Sequence, residues 1–334
     1  MLAFKSVKLA VLGGLAFIGG MVALGGSANA LAMPACVQPD TCLTFGDFDV
    51  YSLSFLNFQT GTSDYFVSAT PGNIKDLTVI GTGSNGVPVN TNTAGIDDAY
   101  AMPSGNTITY VSTGSQGDTA GDFAGDGATT WDARVSSITD FLGGGGMQIF
   151  FGFNEGDQNT AGLPDQDLLL WGIISLYDDE GVNSPLSLVF DGTNANPLIQ
   201  AQTLYNYTDP DGDTLDYAHV HGEICVDQTL LSLIHLGECT GGEAGDPATI
   251  DQDLGINQAA FMARSSLLDQ ALYSGLYDYM QIEFRLAEIS SGYEQIFINA
   301  GDRFDVPNEV PEPAALALFG FGLAGLGALR RKRR

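Results

Sequence analysis

Residues 168–177 read Leu-Leu-Leu-Trp-Gly-Ile-Ile-Ser-Leu-Tyr, an almost uninterrupted apolar run. Most of these side chains favour an extended backbone. A strand that packs between two layers has this pattern because neither of its faces meets water. We therefore predict a strand over residues 168–177 that is buried on both faces.

Other segments alternate apolar and polar side chains with the period of a strand that has one wet face. Residues 280–286 alternate Met, Ile, Phe and Leu with Gln, Glu and Arg, and the same pattern recurs over 147–153 and 51–55. A helix over 257–272, ending near Gly275, is also predicted. Further strands are predicted near residues 65–69, 77–80, 108–112, 186–190, 214–220, 223–226 and 294–299. About ten strands joined by Gly, Asn and Asp loops indicate a mainly β fold, a β-sandwich or jelly-roll-like extracellular domain.

The charge of the chain excludes several classes of partner. Most of the 12 basic residues lie in the terminal segments, so residues 31–309 carry 39 acidic and 5 basic residues, a formal charge of −34. Such a surface repels phosphates, so neither nucleic acid nor bare anionic lipid is an expected partner. Cations, neutral glycans and basic proteins stay possible. Solubility or tolerance of salt would explain the same charge.

Residues 1–30 have the three parts of a secretory signal peptide. Lys5 and Lys8 form a positive region, residues 9–26 form an apolar region, and the small residues 28–30 form a cleavage site before Leu31. We expect the secretion machinery and signal peptidase to act here. The apolar region has 18 residues, which is also long enough for an uncleaved anchor.

The C-terminal segment combines two prolines, a short apolar stretch and a basic cluster. Pro311, Glu312 and Pro313 precede 16 uncharged residues, 314–329. As a helix with a rise of about 1.5 Å per residue these would reach only about 24 Å, short of a comfortable membrane span. The basic cluster consists of Arg330, Arg331, Lys332, Arg333 and Arg334. Such clusters stay on the cytoplasmic side, so the domain is expected to face outward.

This tail resembles the PEP-CTERM sorting signal, which joins a Pro-Glu-Pro triplet, a short hydrophobic helix and a terminal Arg cluster. The resemblance covers residues 310–334, with all three parts in order. It implies that an inner-membrane exosortase recognises the tail of a Gram-negative bacterial protein and cleaves near the triplet. The implied destination is the envelope surface, the biofilm matrix or the medium. An ordinary single-span anchor is the alternative, and the resemblance implies no activity for the cargo domain over 31–309.

Four cysteines, an even number in an exported chain, suggest two disulfides. Three connectivities are possible, and closeness in sequence favours Cys36 with Cys42 and Cys225 with Cys239.

A run of acidic residues is a candidate calcium site. Asp209, Asp211 and Asp213 place carboxylates at alternate positions, and Asp216 follows three residues on. Such carboxylates can converge on a hard cation. The run resembles the Asp-rich calcium loops of cadherin-like bacterial surface domains, and a solvated acidic turn is the alternative. Weaker versions of the pattern are Asp118, Asp122 and Asp126, and Asp165 with Asp167.

Histidines supply a second candidate site. His219 and His221 project from one face if their segment is a strand, and with His235 they would make a ligand set for zinc or copper. Nothing in the sequence places His235 beside the other two.

Sequence motifs for catalysis are absent: no G-x-S-x-G, H-E-x-x-H or phosphate-loop pattern occurs. The expected function is therefore a non-catalytic, structural or glycan-binding role at the cell surface or in the extracellular matrix, with extracellular polysaccharide as a possible partner. The alternative is a secreted hydrolase that acts on matrix polysaccharide. Trp131 and Trp171 would stack on sugar rings if exposed, and core positions for both are favoured.

Overall fold

The structure is a computed structural model. It describes residues 31–83, 89–91, 93–102, 109–111, 130–155, 166–192, 205–208, 214–289 and 294–303. Strand accounts for 43 % and helix for 14 % of the structure, so the predicted mainly β fold is confirmed.

Within the described residues, the first sheet contains seven strands. Its spatial order is β1 (Leu43–Phe45), β2 (Phe48–Ser52), β15 (Phe261–Arg264), β7 (Gly145–Gly152), β17 (Gln295–Arg303), β3 (Thr78–Thr82) and β4 (Tyr100–Ala101). Neighbouring strands pair antiparallel, except that β3 and β4 run parallel.

The second sheet also has seven described strands, built around two long ones. They are β5 (Thr109–Val111), β6 (Trp131–Arg134), β8 (Leu168–Tyr177), β9 (Leu186–Phe190), β10 (Tyr205–Thr208), β11 (Thr214–Val220) and β16 (Tyr279–Ala287). The long strands β8 and β16 pair along their whole length. β8 also pairs with β11 near its start and with β9 near its end, while β16 pairs with β6 and then with β5.

A small third sheet and four helices complete the described structure. The third sheet has the order β13 (Ser232–Leu236), β12 (Glu223–Asp227) and β14 (Pro247–Asp251). The helices are α1 (Leu53–Thr60), α2 (Pro71–Ile74), α3 (Val135–Leu142) and α4 (Ser266–Tyr273).

The main hydrophobic core lies between the first and second sheets. Ile149, Phe151 and Ile296 of the first sheet belong to the same buried cluster as Ile282 and Phe284 of the second. Burial of facing apolar rows is the main free-energy gain of such a sandwich. The sandwich prediction is therefore confirmed.

The outer face of the first sheet is covered as well. Tyr51, Phe150 and Phe297 form a second buried cluster with residues of α1 and α2 and with the segment that begins at Leu31. The first sheet is consequently a middle layer. This corrects the wet face predicted for residues 147–153, because nearly all of β7 is buried on both sides.

Several strand predictions are confirmed at residue level. β8, β9 and β11 have the predicted limits, and β3, β5, β12 and β17 lie within a few residues of theirs. β8 is buried at both ends, although its middle, around Trp171, is half-buried.

Three local predictions are wrong. Residues 53–55 begin helix α1 instead of continuing a strand, since the Ser52 hydroxyl accepts a hydrogen bond from the backbone N–H of Phe55 and caps the helix. Residues 65–69 form only an isolated bridge at Ser68. The predicted helix over 257–272 is divided between strand β15 and helix α4, which begins at the N-cap Ser265.

No helix in the described part of the chain is long and apolar enough to cross a membrane. The apolar region of the signal peptide, 9–26, and the short hydrophobic helix predicted over 314–329 lie outside the described residues.

Candidate functional site

Antiparallel pairing of β8 with β11 builds a cluster of one carboxylate and two imidazoles. Val220 pairs with Leu168 and His219 with Leu169, so the same register places His221 opposite Asp167, the residue before β8. His219 and His221 are two positions apart and therefore lie on one face. All three residues are less than 9 % exposed.

The polar atoms of the cluster converge. Nε2 of His219 lies 2.8 Å and Nδ1 of His221 lies 3.3 Å from Oδ2 of Asp167. The other carboxylate oxygen, Oδ1, accepts a hydrogen bond of 2.7 Å from the backbone N–H of Gly222. Although both imidazoles are close to Oδ2, this buried atom accepts no hydrogen bond of normal geometry from the described residues. The two rings are adjacent, with centroids 3.8 Å apart.

The environment shifts the pKa values of Asp167 and His219. Burial acts to raise the pKa of Asp167, but the His219 and His221 imidazoles and the Gly222 N–H outweigh it and lower that pKa to about 2. Burial lowers the pKa of His219, although the Asp167 carboxylate acts in the opposite direction. At neutral pH the cluster thus holds an ionised carboxylate beside a neutral His219.

A cavity of about 60 Å³ adjoins the two histidines. Its walls come from all three sheets and are mostly apolar, with Phe151, Leu170 and Ile224 among them. His219, His221 and Gln252 supply polar groups at its edge, and Gln252 is fixed by donating a hydrogen bond of 2.8 Å to the His221 carbonyl. The cavity has room for water.

His235 is not part of this cluster, so the three-histidine set is not brought together. Its Nε2 lies 3.1 Å from Oε1 of Glu243, on the third sheet and its following loop. Hydrogen bonds from Thr240 and from His235 lower the pKa of Glu243. Cys225 is also near this pair, but its sulfur is held in a disulfide and offers no thiolate.

The two predicted disulfides, Cys36–Cys42 and Cys225–Cys239, are confirmed. Cys225 lies on β12, so its bridge ties the third sheet to the loop that follows β13.

Most of the predicted calcium ligands lie outside the described residues: Asp209, Asp211 and Asp213, together with the weaker candidates Asp118, Asp122, Asp126 and Asp165. Asp216 is described, on β11 and opposite Asn206 of β10. The sorting residues Pro311, Glu312, Pro313, Arg330, Arg331, Lys332, Arg333 and Arg334 are also outside the described part of the chain.

The cluster combines residues that were predicted to belong to different sites, Asp167 to a calcium site and the two histidines to a zinc or copper site. His219 and His221 were predicted to share one face if residues 214–220 form a strand, and β11 meets that condition. Asp167 was grouped with Asp165 as a weak calcium pair, and only the pairing of β8 with β11 brings it to the histidines. Two imidazole nitrogens and one carboxylate oxygen, all buried, form a donor set suited to a transition-metal ion.

Strongly anionic sandwiches that are closed by disulfides are typical of exported proteins, because disulfides persist only in oxidising compartments. Residues 309–334 match the PEP-CTERM protein-sorting motif, which confirms the predicted tail. The chain is therefore an exported protein that an exosortase sorts and processes, with a transient membrane anchor at its C-terminus.

The chain belongs to the family described as Domain of unknown function (DUF8239), whose match covers residues 31–285. No curated protein and no solved structure matches the chain.

Proposed function

We propose that the exported domain is a non-catalytic component of the cell surface or extracellular matrix, with a structural role or a role in binding polysaccharide. The observation that carries this proposal is the distribution of charge. Residues 31–309 carry 39 acidic residues against 5 basic ones. Some of the described basic side chains also contact other residues of the domain and so add little positive charge to its surface.

Two arginines illustrate these contacts. Arg285 is buried, forms an ion pair with Glu283, and lies 5.3 Å above the ring of Trp171. Arg264 lies 4.9 Å above the ring of Tyr51 and donates a hydrogen bond to the Pro34 carbonyl. The remaining surface is strongly anionic and suits a hydrated, crowded matrix.

This charge restricts the kind of polysaccharide that the domain would bind. Neutral polymers meet no electrostatic barrier, whereas anionic polymers are repelled unless divalent cations bridge the two. Trp131 is fully buried and is not available to a sugar ring. Trp171 is half-buried on β8 and is the described tryptophan that a sugar ring would contact.

Gel retardation of the purified protein in the extracellular polysaccharide of the producing strain tests the proposal. We expect retardation without release of reducing ends, weakened in Trp171→Ala and unchanged in Phe66→Ala, which truncates an exposed phenylalanine elsewhere. Release of reducing ends would favour the hydrolase instead. Absence of retardation with and without calcium would contradict the binding role.

Calcium is proposed as the ion bound by Asp209, Asp211, Asp213 and Asp216. Support comes from the β10–β11 pairing, because Thr208 and Thr214, which flank residues 209–213 in the sequence, lie opposite each other. Calcium at about 100 times its dissociation constant would stabilise the folded state by about 2.7 kcal/mol.

The melting temperature should therefore rise with calcium, fall with chelator, and lose this response in the double variant Asp211→Asn, Asp213→Asn. Magnesium should have less effect because it releases its water reluctantly. Sodium chloride at matched ionic strength controls for screening. A full calcium response in the double variant, or an equal shift with sodium, would rule this site out.

A further inference from the structure

We propose that Asp167, His219 and His221 bind a divalent transition-metal ion of the zinc class, with one coordination position open to the adjoining cavity. This site is distinct from the proposed calcium loop and does not depend on polysaccharide binding.

The spacing of the donor atoms supports a metal site. Zinc bonds to histidine nitrogen and carboxylate oxygen are about 2.0–2.2 Å, so tetrahedral ligand atoms lie roughly 3.3–3.5 Å apart. The observed separations from Oδ2 of Asp167 are 2.8 Å to His219 and 3.3 Å to His221. All three donor atoms lie within 4.8 Å of one another. Nε2 of His219 would have to move away from Oδ2 by about half an ångström to reach the tetrahedral spacing.

The hydrogen bonding around the cluster also fits coordination. Oδ2 of Asp167 is buried beside the two histidine nitrogens, and neither contact has the geometry of a normal hydrogen bond. The Gly222 N–H occupies Oδ1 and so orients Oδ2 towards the histidines. A fixed outer partner of this kind is usual for carboxylates that bind metals.

The donor set selects the class of ion. Calcium and magnesium prefer sites made of oxygen, whereas two imidazoles with one carboxylate suit zinc, copper, iron or nickel. Coordination requires that each histidine carry its proton on the far ring nitrogen, Nδ1 of His219 and Nε2 of His221, so that the lone pairs of the near nitrogens meet the ion.

The cavity determines what completes the coordination shell. Zinc sites with four protein ligands are closed, but sites with three protein ligands keep a position for water or another small ligand. Both histidines line the cavity of about 60 Å³, which is large enough for water. The site is therefore expected to hold an ion with an exchangeable ligand.

The test uses the full exported protein, freed of metal by chelator and then titrated with zinc or cobalt ions alone. Isothermal titration gives stoichiometry and affinity, and the visible absorption of bound cobalt reports its coordination. The variants are His219→Gln, His221→Gln and Asp167→Asn. His235→Gln is the matched control, because His235 is the remaining histidine of the chain and lies in another cluster.

We expect the parent protein and His235→Gln to bind one zinc ion per chain in the micromolar range or tighter. Each of the other three variants should bind at least about 100-fold more weakly and lose the tetrahedral cobalt spectrum. Circular dichroism of the metal-free variants checks that they are folded, and anomalous X-ray scattering on zinc-soaked crystals of the parent locates the ion without any variant. Parental zinc affinity in His219→Gln or His221→Gln, loss of binding in His235→Gln, or no zinc at Asp167 in the crystals would overturn the proposal.

Discussion

Asp269 is a buried acid whose ionisation opposes folding. Its Oδ1 accepts a hydrogen bond of 2.7 Å from the backbone N–H of Met147, and its side chain lies on helix α4 against the first sheet. Burial raises the pKa of Asp269 to about 6, although that hydrogen bond and the charge of Arg264 act against the rise. Between about pH 4 and pH 6 the folded state therefore holds a proton that the unfolded chain has lost, so stability falls as the pH rises.

This predicts a specific change in pH dependence. Asp269→Asn keeps an oxygen acceptor for Met147 but carries no charge, so it should flatten the fall in unfolding free energy between pH 4 and pH 6 by up to about 3 kcal/mol. Urea denaturation at several pH values measures the slope. Asp64→Asn, at an exposed position, controls for the loss of one negative charge. If both variants keep the parental slope, Asp269 does not titrate in this range.

Part of the cluster of Asp167, His219 and His221 was predictable from single residues and their spacing. His219 and His221 share a face because a strand repeats every two residues, and that follows from local sequence alone. Their partner was not predictable, because Asp167 lies some fifty residues away and reaches them only through the register of β8 and β11. The nearer His235 was the wrong partner, since β13 belongs to a different sheet.

At the scale of elements, the turn between β1 and β2 joins the two large sheets. The Asp47 N–H donates to the Val189 carbonyl of β9, and the Val189 N–H donates to Oδ2 of Asp47, each at 2.8 Å. Gly46 makes this contact possible: its φ is +55°, and a Cβ there would clash with the Val189 carbonyl oxygen. A side chain at this position would therefore separate the turn from β9.

We predict that Gly46→Ala destabilises the domain by about 3 kcal/mol or more, through left-handed backbone strain, the clash and the loss of two hydrogen bonds. Gly61→Ala is the matched control, because Gly61 has a φ of +65° and nothing within 4 Å of an added Cβ. It should cost only about 1–2 kcal/mol. Chemical denaturation gives both values, and equal losses would mean that the contact with Val189 contributes little.

Element predictions succeeded where the pattern was strong over a whole segment. Strands β8, β9 and β11 begin and end at the predicted residues. The strand prediction for residues 51–55 failed because Tyr51, Leu53 and Phe55 alternate with polar residues as in a strand. The N-cap at Ser52 instead starts helix α1, whose buried residues are Leu53, Phe55 and Leu56. An alternation of only five residues is thus a weak signal for a strand when a helix N-cap such as Ser52 lies within it.

At the scale of the whole molecule, the layered packing was the least predictable feature. The alternation over 147–153 predicted one solvent-facing side, but the N-terminal segment and helices α1 and α2 cover that side of the first sheet. This cover comes from parts of the chain about a hundred residues away. The sandwich class was predictable from strand number and turns, whereas the middle layer depends on long-range packing.

The sorting signals give the prediction that concerns the whole chain. We expect N-terminal sequencing of the exported protein to begin at Leu31, whose carbonyl accepts a hydrogen bond of 2.8 Å from Gln148. Deleting residues 310–334 should move the protein from envelope fractions to the medium without changing its melting temperature. A protein that keeps Met1, or that fractionates unchanged after the deletion, would contradict these signals.

The position of β17 has a mechanical consequence. β17 is the last described strand before the tail, and it lies inside the first sheet between β7 and β3. A force that reaches the domain through the tail would first meet a strand that is hydrogen-bonded to a neighbour on each side, β7 and β3, whereas a strand at the edge of a sheet has such bonds on one side only.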